Sequence, residues 1–122
     1  MPMVTAMSAE KNNMAAAIDN WNLYYVLTEE LLKFINKADI EAFLDIARQR
    51  NTIVERMKAL PETEIYRKTP ECCALVDKIK PLDMQVIYKA KAWLNKSRRQ
   101  NAAVHAYDLD YGAVGNILNK KY

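Results

Sequence analysis

The chain has 122 residues, of which 51% are hydrophobic, so it is long enough for one domain with a thin core. Its net charge of +3 is unevenly placed, since residues 1–60 carry seven basic against eight acidic side chains and residues 61–122 carry eleven against seven. No apolar run approaches the roughly 20 residues that a membrane-spanning helix needs, which argues against an integral membrane protein. The N-terminal residues also lack the apolar segment of a secretion signal, so we expect a cytoplasmic protein.

The first predicted element is a long helix. Residues 1–8 show no periodicity, and we expect them to be frayed. A helix from about Ala9 to Lys37 follows, because the segment has no glycine or proline and its apolar residues recur at helical spacing. One stripe of this spacing consists of Ile18, Trp21, Tyr25, Thr28, Leu32 and Ile35. The aromatic side chains on this helix are interpreted as core residues.

A second helix is predicted between Asp39 and Leu60. Asp39 is a suitable N-cap residue, because its carboxylate can accept hydrogen bonds from the free amides of the first turn. The helix should end before Pro61, since proline disfavours helical geometry in the residue that precedes it. The break between the two helices is short, which predicts an antiparallel helical hairpin.

Residues 61–69 are predicted to form a polar linker, and a third helix should begin at Thr69-Pro70-Glu71. This start has an N-cap residue, proline at the first helical position and an acid in the first turn. An apolar stripe crosses Pro81 without interruption, so we predict one helix, kinked at Pro81, that extends to about Ala106. The stripe consists of Leu75, Ile79, Leu82, Val86, Ala90, Trp93 and Ser97.

Together these elements predict an all-α fold, a bundle of three to four helices that forms a single domain over residues 1–122. Both glycines of the chain, Gly112 and Gly115, lie near its C-terminus. Residues 107–122 are therefore predicted to form a short tail element that docks loosely, and a disordered chain end is an equally weighted alternative.

The sequence contains no motif for catalysis, for phosphate binding or for a metal ion. Cys72 and Cys73 are adjacent on a predicted helix, so their side chains diverge and a disulfide is not expected. The single histidine, His105, lies more than thirty positions from them. We therefore expect neither enzymatic activity nor a cofactor or metal.

The second half of the chain contains a basic segment. Between Met84 and Tyr107 there are five basic residues and no carboxylate. Lys89, Lys96 and Arg99 fall on one face of the predicted helix. With a sequence pI of about 8.8, we favour a solvated face or an acidic protein partner over nucleic acid.

Two segments carry a resemblance to a known family. One is LYYVLTEELLKFINKADIEAFLDIARQRNTIVERM, at residues 23–57, and the other is KAWLNKSRRQNAAVHAYDLDYGAVGNILNKKY, at residues 91–122. The first segment contains the aromatic first helix, and the second contains the basic end of the third helix. In both segments the chain resembles the FliT-type flagellar export chaperones, and the resemblance covers nearly the whole chain.

The resemblance implies a chaperone that binds the filament-cap protein FliD near its C-terminus and delivers it to the export ATPase complex. A helix-in-groove contact would suit this role. The predicted groove consists of Ile53, Met57, Leu75, Ile79, Leu82, Val86 and Trp93. In enteric relatives a C-terminal element covers this surface, and the residues here that could do so are Tyr107, Tyr111, Ile117 and Leu118.

Three alternatives stay open. A FlgN-type chaperone for the hook-filament junction proteins has a similar helical layout. A small regulatory or nucleic-acid-binding protein would use the basic segment. The apolar stripe of the third helix could also pair with a second copy of the chain, which leaves the oligomeric state undetermined.

Overall fold

The computed structural model describes residues 2–97, with side chains described for residues 11–96. Four helices follow one another along this part of the chain, and it contains no β-strand. They are α1 (Pro2–Asn36), α2 (Ile40–Ala59), α3 (Glu62–Arg67) and α4 (Pro70–Ser97). The predicted all-α bundle is confirmed.

The centre of the bundle is α1, which packs against each of the other three helices. Trp21 and Tyr24 of α1 lie in one buried cluster with Val76 of α4, and Leu31 of α1 lies in a second with Val86 of α4. Successive positions of α1 thus meet successive positions of α4. The two helices therefore run parallel. The helix that lies between them in the sequence, α2, runs antiparallel to both.

The turn between α1 and α2 is tight. The amide of Asp39 donates to the carbonyl of Phe34 at 3.0 Å, and the amide of Ala38 donates to that of Ile35 at 3.1 Å. This pair of hydrogen bonds is a Schellman motif, which requires a left-handed residue at its centre. Ala38 takes that conformation, with φ of 56°. The antiparallel hairpin predicted from the short connection is confirmed.

Both predicted N-caps are confirmed. The amide of Ala42 donates to the Asp39 carboxylate at 3.2 Å, and the amide of Cys72 donates to the Thr69 hydroxyl at 3.2 Å. At the other end of α2, Leu60 is extended, as expected of a residue before proline. The helix that begins at Pro70 continues through Pro81, so the prediction of one helix across that proline is confirmed.

Two predicted boundaries are wrong. The first helix begins at Pro2, seven residues before Ala9, and so includes residues that were expected to be frayed. Proline is well suited to a first helical position, and no helix-breaking residue follows it within α1. Five of the six side chains from Lys11 to Ala16 are exposed, and the sixth, Met14, is half-buried. This part of α1 therefore precedes the packed region of the helix.

The predicted linker at residues 61–69 is also wrong, because it contains α3. Pro61 has helical backbone angles, and acidic residues occupy the first turn, which favours a helix start. Thr63 and Arg67, four residues apart, are buried on one side of this helix. The indole nitrogen of Trp21 donates to the carbonyl of Thr63 at 3.2 Å. These contacts with the bundle stabilise a helix that is too short to form alone.

Within the described residues, none of the helices combines the length and the apolar character needed to cross a bilayer.

Candidate functional site

The structure places the predicted partner groove largely inside the bundle. Four of its residues are buried: Ile53, Met57, Ile79 and Val86. The other three are half-buried: Leu75, Leu82 and Trp93. The groove is thus filled by α1, and a partner helix could reach the four buried residues only if α1 separated from α2 and α4. At these four positions the expectation of an open groove is wrong.

The predicted groove is largely buried, and the residues of α4 that face the core differ in part from those of the predicted stripe. The residues of α4 that face the core are Cys72, Val76, Ile79, Asp83, Val86, Ala90 and Leu94. Their spacing of four or three residues, alternating from Cys72 to Ala90, is typical of helices that pack side by side. The predicted stripe skipped Asp83 because it is charged, and so it drifted to half-buried neighbours such as Leu82. On α1, where the aromatic side chains are predicted to be core residues, Trp21 and Tyr24 are buried and Tyr25 is half-buried.

Several predicted residues lie outside the described part of the chain. These are Arg99 of the basic face and all four predicted tail residues, Tyr107, Tyr111, Ile117 and Leu118. Of the remaining basic face, Lys96 is exposed and Lys89 is half-buried, with its ammonium group hydrogen-bonded to the side-chain oxygen of Asn36.

An exposed apolar strip runs along the solvent side of α4. It consists of Pro81, Met84, Tyr88 and Ala92, which recur at spacings of three and four. We call it the α4 outer face. Met84 is 68% exposed and Tyr88 is 77% exposed, the two highest values among large hydrophobic side chains in the described region. The α4 outer face is therefore an unpartnered apolar surface on a helix whose opposite side is core.

At one edge of the α4 outer face lies a shallow, mainly apolar pocket of about 330 Å³. We call it the end pocket, because it lies beside the turn that joins α1 to α2. Its lining residues are Ile35, Asn36, Ala38, Ile40, Tyr88, Lys89, Ala92 and Trp93. Tyr88 and Ala92 belong to both features, so the strip and the pocket form one continuous surface.

The charged side chains that α4 places beside this surface are positive. Lys89 lies at the end pocket, and Lys91 and Lys96, farther along α4, are exposed. No carboxylate occurs from residue 84 to residue 97 of the sequence. The nearest acid on α4, Asp83, is buried and ion-paired to Arg50 at 2.9 Å. The α4 outer face therefore has cations at its edge without anions of its own segment to offset them.

Two titratable side chains in the core of the bundle have raised pKa values because they are buried. Burial raises the pKa of the Cys72 thiol from 9.0 to about 12, which keeps it protonated and unreactive near neutral pH. Burial likewise raises the pKa of the Tyr24 hydroxyl above its ordinary value. Cys73 is exposed, and neither cysteine is in a disulfide. Across residues 11–96 no group of His, Cys, Asp and Glu side chains could hold a metal ion.

The fold and this surface define a helical bundle with an exposed apolar strip edged by lysines. No protein-family model matches the chain, and neither the curated proteins nor the solved structures include a match to it.

Proposed function

We propose that this protein is a cytoplasmic flagellar export chaperone of the FliT type, which binds the C-terminal segment of the cap protein FliD and delivers it to the export ATPase complex. The observation that carries the proposal is the α4 outer face with its end pocket. A chaperone of this kind needs an apolar surface that a client helix can cover, and Met84 and Tyr88 supply one.

The energetics of such a contact are favourable. Burying a fully exposed methionine side chain contributes about 1.5–3 kcal/mol, so covering Met84, which is 68% exposed, contributes a part of that before the cost of ordering the partner is subtracted. Large aromatic residues are the usual anchors of protein interfaces, and both Tyr88 and Trp93 line the end pocket. The resemblance of residues 23–57 and 91–122 to the FliT-type chaperones supplies the identity of the client.

Co-purification tests this function. We expect the full chain to capture the C-terminal segment of FliD and to leave the hook-filament junction proteins unbound. Capture of the junction proteins instead would indicate a FlgN-type chaperone. Binding to DNA that falls steeply with added salt would indicate a nucleic-acid-binding protein.

The proposed tail cover has its own test. If residues after Tyr107 cover the client surface, a chain that ends at Tyr107 should capture more of the FliD segment than the full chain. Equal capture by the two chains would contradict a covering tail and leave the client assignment unaffected.

A further inference from the structure

We infer that the α4 outer face and the end pocket bind an acidic amphipathic helix, with one apolar side chain of that helix in the pocket and a carboxylate paired with Lys89. The inference rests on the proposed function, because it specifies the chemistry of the segment that the same surface would hold.

The shape of the surface fits one helix with one anchor. The spacing of three and four along Pro81, Met84, Tyr88 and Ala92 produces a straight apolar strip, which an apolar helix face can follow along its length. Because an apolar cavity of roughly 150 Å³ holds a benzene-sized group, the end pocket of about 330 Å³ can accept an aromatic or branched aliphatic side chain.

Lys89 is placed to select an acidic partner. Its ammonium group donates one hydrogen bond to the side-chain oxygen of Asn36, which holds it at the pocket. An ammonium group has three protons, so two remain for a carboxylate of the partner. Lys91 and Lys96 add two exposed positive charges to the same part of α4. A partner with glutamates or aspartates beside its apolar face would neutralise these cations.

The charge argues against a second copy as the occupant. In a symmetric pair of α4 outer faces, the same basic segment would contribute to both sides, and no carboxylate between residues 84 and 97 could compensate. The apolar character argues against nucleic acid, because the side chains of Pro81, Met84 and Ala92 carry no donor that phosphate would bind. A protein helix uses both the apolar and the basic part of the surface.

A peptide titration with the full-length protein tests the inference. The probe is a synthetic, fluorescently labelled helical peptide with a leucine face flanked by glutamates, and its matched control has lysines in place of the glutamates. We expect the acidic peptide to bind and the basic peptide to bind at least about tenfold more weakly. Fluorescence anisotropy measures both affinities.

Substitutions locate the site. Tyr88→Ser and Lys89→Glu should each weaken acidic-peptide binding by about tenfold or more. Ile65→Ser on α3 and Lys78→Glu in the first half of α4 are matched controls, because both side chains are exposed and neither lines the end pocket. The controls should bind as the unmodified protein does, and circular dichroism should show the same helix content in all four variants.

Four results would overturn the inference: equal binding of the two peptides, equal effects of Lys89→Glu and Lys78→Glu, tighter binding of a DNA duplex than of the acidic peptide, or a dimer that Tyr88→Ser dissociates in sedimentation. Other results would contradict the proposed function and leave the peptide-binding inference intact, or the reverse. Acidic-peptide binding without capture of the FliD segment would contradict the client, whereas capture that is insensitive to Tyr88→Ser and Lys89→Glu would contradict the site.

Discussion

The guanidinium group of Arg50 donates to the carboxylate of Asp83 at 2.9 Å, in the buried centre of the bundle. The same nitrogen donates to the hydroxyl of Thr28 at 2.9 Å, and the guanidinium lies over the ring of Tyr24. A polar residue occupies a core position in each of three helices: Thr28 in α1, Arg50 in α2 and Asp83 in α4. They form one polar layer that connects α1, α2 and α4 between the two apolar clusters.

Removing one member of the buried pair should destabilise the fold strongly. Asp83→Ala leaves the guanidinium of Arg50 buried without its carboxylate, and the expected loss in free energy of unfolding is about 3–5 kcal/mol. Urea denaturation monitored by circular dichroism measures it.

The matched control removes both charges. Arg50→Met combined with Asp83→Leu should recover most of the lost stability, because apolar residues of similar size can replace a buried ion pair at little cost. A double variant that is as unstable as Asp83→Ala would contradict the assignment of the loss to an uncompensated charge.

The turn at Ala38 predicts a stabilising substitution. A residue with a β-carbon pays roughly 1–2 kcal/mol for the left-handed conformation, and glycine avoids that cost. Ala38→Gly should therefore raise the free energy of unfolding by up to about 1 kcal/mol. Part of this gain is offset because glycine increases the conformational entropy of the unfolded chain.

Ala42→Gly is the control for this substitution, because Ala42 lies in the first turn of α2 and follows ordinary helical preferences. It should lower stability by up to about 1 kcal/mol. Thermal denaturation of the two variants distinguishes the positions, and a loss of stability in Ala38→Gly would contradict the left-handed turn.

The buried thiol of Cys72 predicts a dependence of stability on alkaline pH. Its pKa is raised by burial from 9.0 to about 12, so above 9.0 the unfolded chain loses a proton that the folded chain keeps. The folded state then binds more protons than the unfolded state, and stability must fall as the pH rises between these two values.

Urea midpoints measured across that pH range check this expectation. Cys72→Ala removes the ionising group and should make the decline shallower, even though the smaller side chain lowers stability at every pH. An unchanged slope would show that the thiol does not contribute.

The local elements of the fold were predictable from the sequence because their signals are local. Asp39 and Thr69 precede helices and have side chains that can cap them, and both do so. Pro61 ends α2 through its effect on Leu60. In contrast, α3 depends on the contact of Trp21 with the Thr63 carbonyl, which joins residues 42 positions apart. Such a contact leaves no local pattern.

The buried register and the site were less predictable. A polar residue at a core position interrupts an apolar stripe, so Asp83 displaced the predicted stripe of α4 to neighbouring positions such as Leu82. Opposite charges at single core positions of two helices are a signal that could have identified the pair. Tyr88 carried no such signal, because its exposure depends on where α1 and α2 lie. Of the predicted groove, Trp93 alone lines the end pocket.

Capture of the FliD C-terminal segment by full-length variants tests whether the α4 outer face binds the client. Tyr88→Glu adds a charge to the most exposed large apolar side chain of that face, and Ile65→Glu adds the same charge to an exposed side chain of α3. We predict capture by the unmodified protein and by Ile65→Glu, and its loss in Tyr88→Glu. Undiminished capture by Tyr88→Glu would contradict the account.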